Sequence, residues 1–136
     1  MSVTPAEAAQ ACIDRFVGKP MAWGKRDCAT LAAHLLHQYG IAVPMMKGLK
    51  YSTDMGAARA LKRTGFACLA SAVDSLGLQR IAPASARTGD LVGLPCDGGP
   101  WGCALTVAVG NGRVLGFVDG VAHVLQPAAY LTAWRV

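Results

Sequence analysis

Asp27-Cys28 is the dipeptide with which this sequence could do chemistry. It follows a turn at Trp23-Gly24 and opens an apolar run from Ala29 to Tyr39. Asp is a good N-cap, because its carboxylate accepts from the unpaired amide N–H groups of a first helical turn. Cys28 then falls at the first helical position, where those N–H groups and the positive end of the helix dipole favour a thiolate. A thiolate, unlike a thiol, is a working nucleophile. The alternative is a small buried Cys that packs like an alanine. Asp27 reads as a cap rather than an acid–base group, and Asp90 as a turn or strand-start residue.

A nucleophile of this kind needs a base. His34 and His37 lie on the same expected helix, ~9 and ~13 Å further along its axis at ~1.5 Å per residue, so neither reaches the thiol. His123 is the remaining histidine. The other cysteines are Cys12, Cys68, Cys96 and Cys103. An odd total without a CxxC pair indicates neither a disulfide framework nor a zinc ribbon. Cys96 and Cys103, around a Gly-Gly-Pro turn, could serve an iron–sulfur cluster if Cys12 or Cys68 joined them. Ordinary thiols in a reducing cytoplasm are the competing reading.

With 136 residues the chain can build one domain with its own core. Hydrophobic residues make up 53% and charged ones 15%, an apolar balance that suits surface covered by partners. The net charge of +5 suits an acidic partner. Its basic residues are scattered, however, and no basic and aromatic run marks a nucleic-acid groove. No secretory signal pattern opens the sequence. No apolar run approaches the ~20 residues of a membrane span.

Four helices are expected first. Thr4, Pro5 and Glu7 form a capping-box start to a helix through Phe16, stopped by Gly18 and Pro20. The second runs from Cys28 to about Tyr39 and ends at Gly40. A basic loop, Pro44 to Tyr51, leads to a third over Met55 to Thr64 and a fourth over about Leu69 to Leu76. Lys62 and Arg63 oppose the dipole at the third helix's end. Short strand-like runs follow at 91–94, 104–109, 113–118, 121–125 and 133–136. Turns at Asp97-Gly98-Gly99-Pro100, Gly110-Asn111-Gly112 and Asp119-Gly120 separate them. A helical half, about 4–77, and a meandering β half, about 88–136, make a single α+β domain over 1–136. Trp23, Trp101 and Trp134 read as core or interface packing.

Taken in order, Trp23-Gly24 with Asp27-Cys28, then Thr88-Gly89-Asp90-Leu91-Val92, then a strand ending in Gly110-Asn111-Gly112 resemble the NlpC/P60 peptidases. These are papain-like cysteine enzymes that cut cell-wall peptides. The closest likeness is to short NlpC/P60-like proteins encoded in phage and prophage tail regions, whose ending Ala133-Trp134-Arg135-Val136 matches. The resemblance implies a papain-like α+β fold, with N-terminal helices packed on a small antiparallel β-barrel or meander. It makes Cys28 the nucleophile position. The family's base position falls on Ala104 and its third polar position on Gly116, and neither residue can move a proton. Loss of a general base costs ~10²–10⁴-fold in rate.

His123 could relocate the base. If Asp119-Gly120 is a two-residue turn, Gly116 pairs with His123. With a three-residue loop at Gly110-Asn111-Gly112, Ala104, Gly116 and His123 share one sheet face. The imidazole then stands about one strand spacing, ~4.8 Å, from the family's base position. With a two-residue loop, parity flips and His123 faces away.

The resemblance therefore implies a degenerate peptidase scaffold used as a structural component of a phage tail tip or baseplate, with a role in cell-wall passage during DNA injection. It would reside in the virion and contact other tail proteins and, in some settings, peptidoglycan. No cofactor, metal, nucleic acid or membrane span is implied. The alternatives are an active peptidoglycan cysteine peptidase using Cys28 with His123, and an iron–sulfur-binding tail protein.

Overall fold

A computed structural model describes residues 3–96 and 99–136. The first two residues of the turn expected at Asp97-Gly98-Gly99-Pro100 lie outside the described ones. Helix α1, Pro5–Phe16, starts at the expected capping box: Glu7 N–H donates to Thr4 Oγ1 at 3.1 Å, and Thr4 N–H to Glu7 Oε1 at 3.0 Å. It buries Ala8, Cys12 and Phe16, one residue per turn on one face. Helix α2, Cys28–Gln38, is capped by Asp27 and packs along α1. Helix α3, Asp54–Thr64, is capped by Thr53 and ends at Gly65. Helix α4 covers Leu69–Asp74, shorter than its apolar pattern suggests. No helix among the described residues is long and apolar enough to cross a membrane.

The strands are β1 (Gln79–Ile81), β2 (Leu91–Leu94), β3 (Ala104–Gly110), β4 (Arg113–Val118), β5 (Val121–Leu125) and β6 (Thr132–Arg135). They form one antiparallel six-stranded sheet in the order β1-β6-β2-β3-β4-β5. The protein is thus α+β with a β2-to-β5 meander, but the sheet is open and the expected barrel is not formed. Closure would need β5 to pair with β1. Part of the free edge of β5 is instead taken by the α1–α2 connection. Gly18 N–H donates to Ala122 O at 2.9 Å, Ala122 N–H to Lys19 O at 3.1 Å, and Met21 N–H to Gly120 O at 2.7 Å. Covering an edge in this way removes a template for unwanted pairing.

Period-2 alternation gives the sheet two faces. Leu91, Leu105, Val107, Leu115, Ala122 and Trp134 face the helices and join their core. Val92, Ala108, Val114 and Ala133 form a smaller apolar cluster on the outer face. Asp119 and Gly120 both have positive φ, 51° and 79°, as a type I′ hairpin turn requires, and Gly116 pairs with His123 as expected. The β3–β4 connection differs from the three-residue loop assumed. Gly110 pairs with Arg113 across a two-residue turn, and a register shift between Ala108 and Gly110 follows. That shift restores the parity a three-residue loop would have given.

β1 has no strand signature of its own. It exists because β6 lies between it and β2 and offers it an edge, with Arg80 opposite Trp134. A polar clasp holds this corner. Arg80 donates to both Asp74 oxygens, from Nε at 2.8 Å and Nη2 at 2.7 Å, while its guanidinium lies 5.4 Å above the Trp134 ring. Trp134 Nε1–H donates to Asp74 Oδ1 at 2.9 Å. The Arg80 hydrogen bonds hold the Asp74 carboxyl below the usual range. At the same end of β2, where Leu91 pairs with Trp134, buried Asp90 accepts from Val136 N–H at 3.0 Å and Arg87 N–H at 2.9 Å. Arg135 Nε stands 3.0 Å from Asp90 Oδ2 as an ion pair lacking hydrogen-bond geometry, and Arg135 Nη2 donates to Ser85 O at 2.8 Å.

Trp134 is fully buried. Trp134→Ala is expected to lower unfolding free energy by about 3–5 kcal/mol, the range for large-to-small aromatic core truncations, measured by urea denaturation.

Candidate functional site

The loop before α2 is bent back on itself: Ala22 and Arg26 exchange backbone hydrogen bonds at 2.9 and 2.8 Å. Gly24 at its tip has φ 84°, and a Cβ there would collide with the Tyr51 carbonyl oxygen. The turn therefore requires glycine twice over, by conformation and by close approach. Asp27 follows, fully buried. Its Oδ1 accepts from Thr30 N–H at 2.8 Å, and its Oδ2 from Gly24 N–H and Tyr51 O–H, each at 2.8 Å. Thr30 Oγ1 accepts from Asp27 N–H at 2.8 Å in return. The capping residue foreseen in sequence is thus also the anchor of the loop and of Tyr51. Tyr51 sits in what reads locally as a basic loop, and no local pattern marks it as a partner of Asp27.

Cys28 occupies the first position of α2, half-buried, at one wall of a cavity of about 240 Å³. Trp23, Trp101, Phe117, Met21 and Ala104 supply much of the remaining wall. Trp101 is wedged there with its ring edge-to-face against Trp23 at 5.1 Å and Tyr51 at 5.6 Å, and its Nε1–H donates to Ala57 O at 3.0 Å. The long-range contacts of Trp101 have no sequence signal beyond its size.

A helix N-terminus should favour a thiolate, but burial outweighs it. Burial pushes the Cys28 thiol up to about 12. A backbone hydrogen bond from Leu105 opposes this, while the Asp27 carboxylate and the neighbouring Cys103 and Cys96 reinforce it. Cys28 is therefore a protonated thiol at neutral pH.

No histidine lines this cavity. His123 and its pair Gly116 lie on the outer sheet face: Ala122, next in the chain, is the residue that joins the helix-side core. The parity condition for Ala104, Gly116 and His123 to share a face is met, yet that face points away from α2, and the Cys28–His123 pair is not formed. The space above Gly116 is taken by Thr106, whose Cγ2 would lie 2.7 Å from a Cβ there. Ala104, the first residue of β3, still borders the cavity, and an alanine there offers no side-chain proton acceptor. His34 packs edge-to-face on Phe16 at 5.8 Å and meets the Gln38 amide at 3.4 Å, while His37 is exposed at the end of α2.

The cysteines do not assemble as cluster ligands. Cys28, Cys96 and Cys103 border the cavity, Cys12 is buried on the inner face of α1, and Cys68 precedes α4 with its Sγ 3.4 Å from Ser71 Oγ. Among the described residues no three His, Cys, Asp or Glu side chains converge to hold a metal ion. Hydrogen bonds from Ser71 hold the Cys68 thiol below its usual range.

Two outcomes follow. Iodoacetamide at pH 8 should modify Cys68 well before Cys28, with Cys28 at least about tenfold slower than a free cysteine of ordinary pKa ~8.5, read by peptide mass mapping. Asp27→Ala should cost about 2–4 kcal/mol in thermal or denaturant unfolding, a lost cap plus donors left unpaired at Gly24 and Tyr51.

A comparison with curated proteins found no match. Residues 4–136 match the family described as Domain of unknown function (DUF6950), and the chain belongs to that family.

Proposed function

We propose that this domain is a non-catalytic component of a phage tail tip or baseplate, built on an NlpC/P60-like scaffold. In this reading it acts through contacts with other tail proteins at the time the cell wall is crossed. The observation that carries the non-catalytic part is the state of Cys28: a thiol pushed up to about 12, in a cavity that no imidazole lines. The one carboxylate on the cavity wall, Asp54, belongs to a class of weaker base than an imidazole, so this sulfur lacks the partner that opens an acyl-transfer reaction at neutral pH. The aromatic walls favour a different use of the same cavity, as a socket for an apolar side chain of a partner. The placement in a tail rests on the sequence resemblance, from Trp23-Gly24 to the Trp134-Arg135-Val136 ending.

Two measurements test this reading. Antibody detection in gradient-purified particles should find the protein in the virion, and its absence from tails would remove the assignment. Purified protein incubated with peptidoglycan should release no fragments above buffer. Release that disappears in Cys28→Ala would make the domain an active peptidase and end the non-catalytic reading.

A further inference from the structure

A second cavity, about 430 Å³, lies in the groove between α1 and α2 and shares no lining residue with the Cys28 cavity. Its charged and titratable walls are all basic: Arg15 from α1, Lys25 from the loop before α2, and His34 and His37 from α2. Half-buried Met46 adds apolar surface, while Phe16 lies buried beneath the wall. The ion pairs among the described residues join Arg80 to Asp74 and Arg135 to Asp90, so Arg15 and Lys25 face the groove without a carboxylate partner.

The interior of the groove is already arranged. Arg15 lies with its guanidinium 5.9 Å from the Phe16 ring centre, and His34 closes on the same ring from α2. Burial holds His34 below the usual imidazole range, and Arg15 and His37 push it the same way. A backbone hydrogen bond with Ala11 opposes them. His34 is thus a neutral wall at pH 7, and the charge in the groove comes from Arg15 and Lys25. Cations gathered in a concave site without counter-charge raise the local concentration of anions. A planar guanidinium and an ammonium lining one groove suit a phosphoryl group, which accepts from both.

We propose that the α1–α2 groove binds an organic phosphate, its phosphoryl group held by Arg15 and Lys25 with His37 at the rim, and its body resting on the half-buried Met46. This site is independent of the reading of Cys28. The charge selects the anion, and the apolar surface selects an anion that carries a ring or hydrocarbon over a bare one.

The test is an NMR titration of the full chain with phenyl phosphate. Saturable shifts are expected at the amides of Lys25, Thr30 and Ala33, with affinity falling as salt is raised. Inorganic phosphate should bind at least about fivefold more weakly, because it leaves the apolar surface uncovered. In the Arg15→Gln/Lys25→Gln double variant, affinity should drop about tenfold or more through loss of two charge-assisted contacts. Both residues are exposed, so the fold should persist, and unchanged amide positions outside the groove check this. Arg113→Gln, on β4, should leave binding as it is. Absence of saturation, equal affinity for inorganic phosphate, or unchanged affinity in the double variant would overturn the proposal. Binding of a single-stranded oligonucleotide in place of phenyl phosphate would overturn it in favour of a nucleic-acid surface.

Discussion

The buried carboxylate of Asp27 is the constraint on which the rest of the site depends. An ionised group out of water is costly unless its lone pairs are filled. Here they are filled from three directions: the Gly24 turn, the first turn of α2 and the hydroxyl of Tyr51. One side chain therefore sets where α2 begins, how the preceding loop folds back and where the segment before α3 lies against them. The arrangement has a chemical consequence for its neighbour. Asp27 takes a first-turn N–H that would otherwise help to stabilise negative charge, and it adds a negative charge beside the sulfur. With burial on top, the residue that places Cys28 at a helix N-terminus also keeps it from becoming a thiolate.

The sheet carries the second half of the site through a related economy of partners. Strand β6 enters the interior of the sheet, and its C-terminal end is tied by two carboxylates from elsewhere: Asp74 to Trp134 and Arg80, and Asp90 to the backbone of Val136 and the side chain of Arg135. This links the Gly89-Asp90 turn to the Trp134-Arg135-Val136 segment in space, so two sequence features that look separate form one structural unit. With β6 held, β2 and β3 are fixed, and Leu105 is brought against Cys28.

The cavity that results has the outline of a reaction centre and the lining of a binding socket. Aromatic rings and alkyl groups dominate its wall, and the nearest positions of the β-strands offer alanine and leucine. The basic groove on the far side of the 23–27 turn has the opposite character. The two concave surfaces thus differ in character, one mainly apolar and one basic, and α2 contributes to both.

The elements with local signals were legible in the sequence. Thr4, Asp27 and Thr53 mark helix starts because a cap bonds within its own first turn. Gly65 marks a helix end and Asp119-Gly120 a hairpin, because those conformations disfavour most other residues. Strand β1 was not legible, since Gln79–Ile81 becomes a strand only by pairing with β6, far along the chain. The openness of the sheet depends in part on Lys19 and Met21 occupying the edge of β5.

The sequence alone thus determined the helix starts, the alternation of the strands and the position of Cys28 at the head of α2, all consequences of contacts within a few residues. Tertiary structure alone decided which sheet face looks at that cysteine, that His123 lies on the other one, and that the thiol stays protonated. Those outcomes depend on a one-residue register shift and on burial by distant segments, and neither leaves a trace in local composition or spacing.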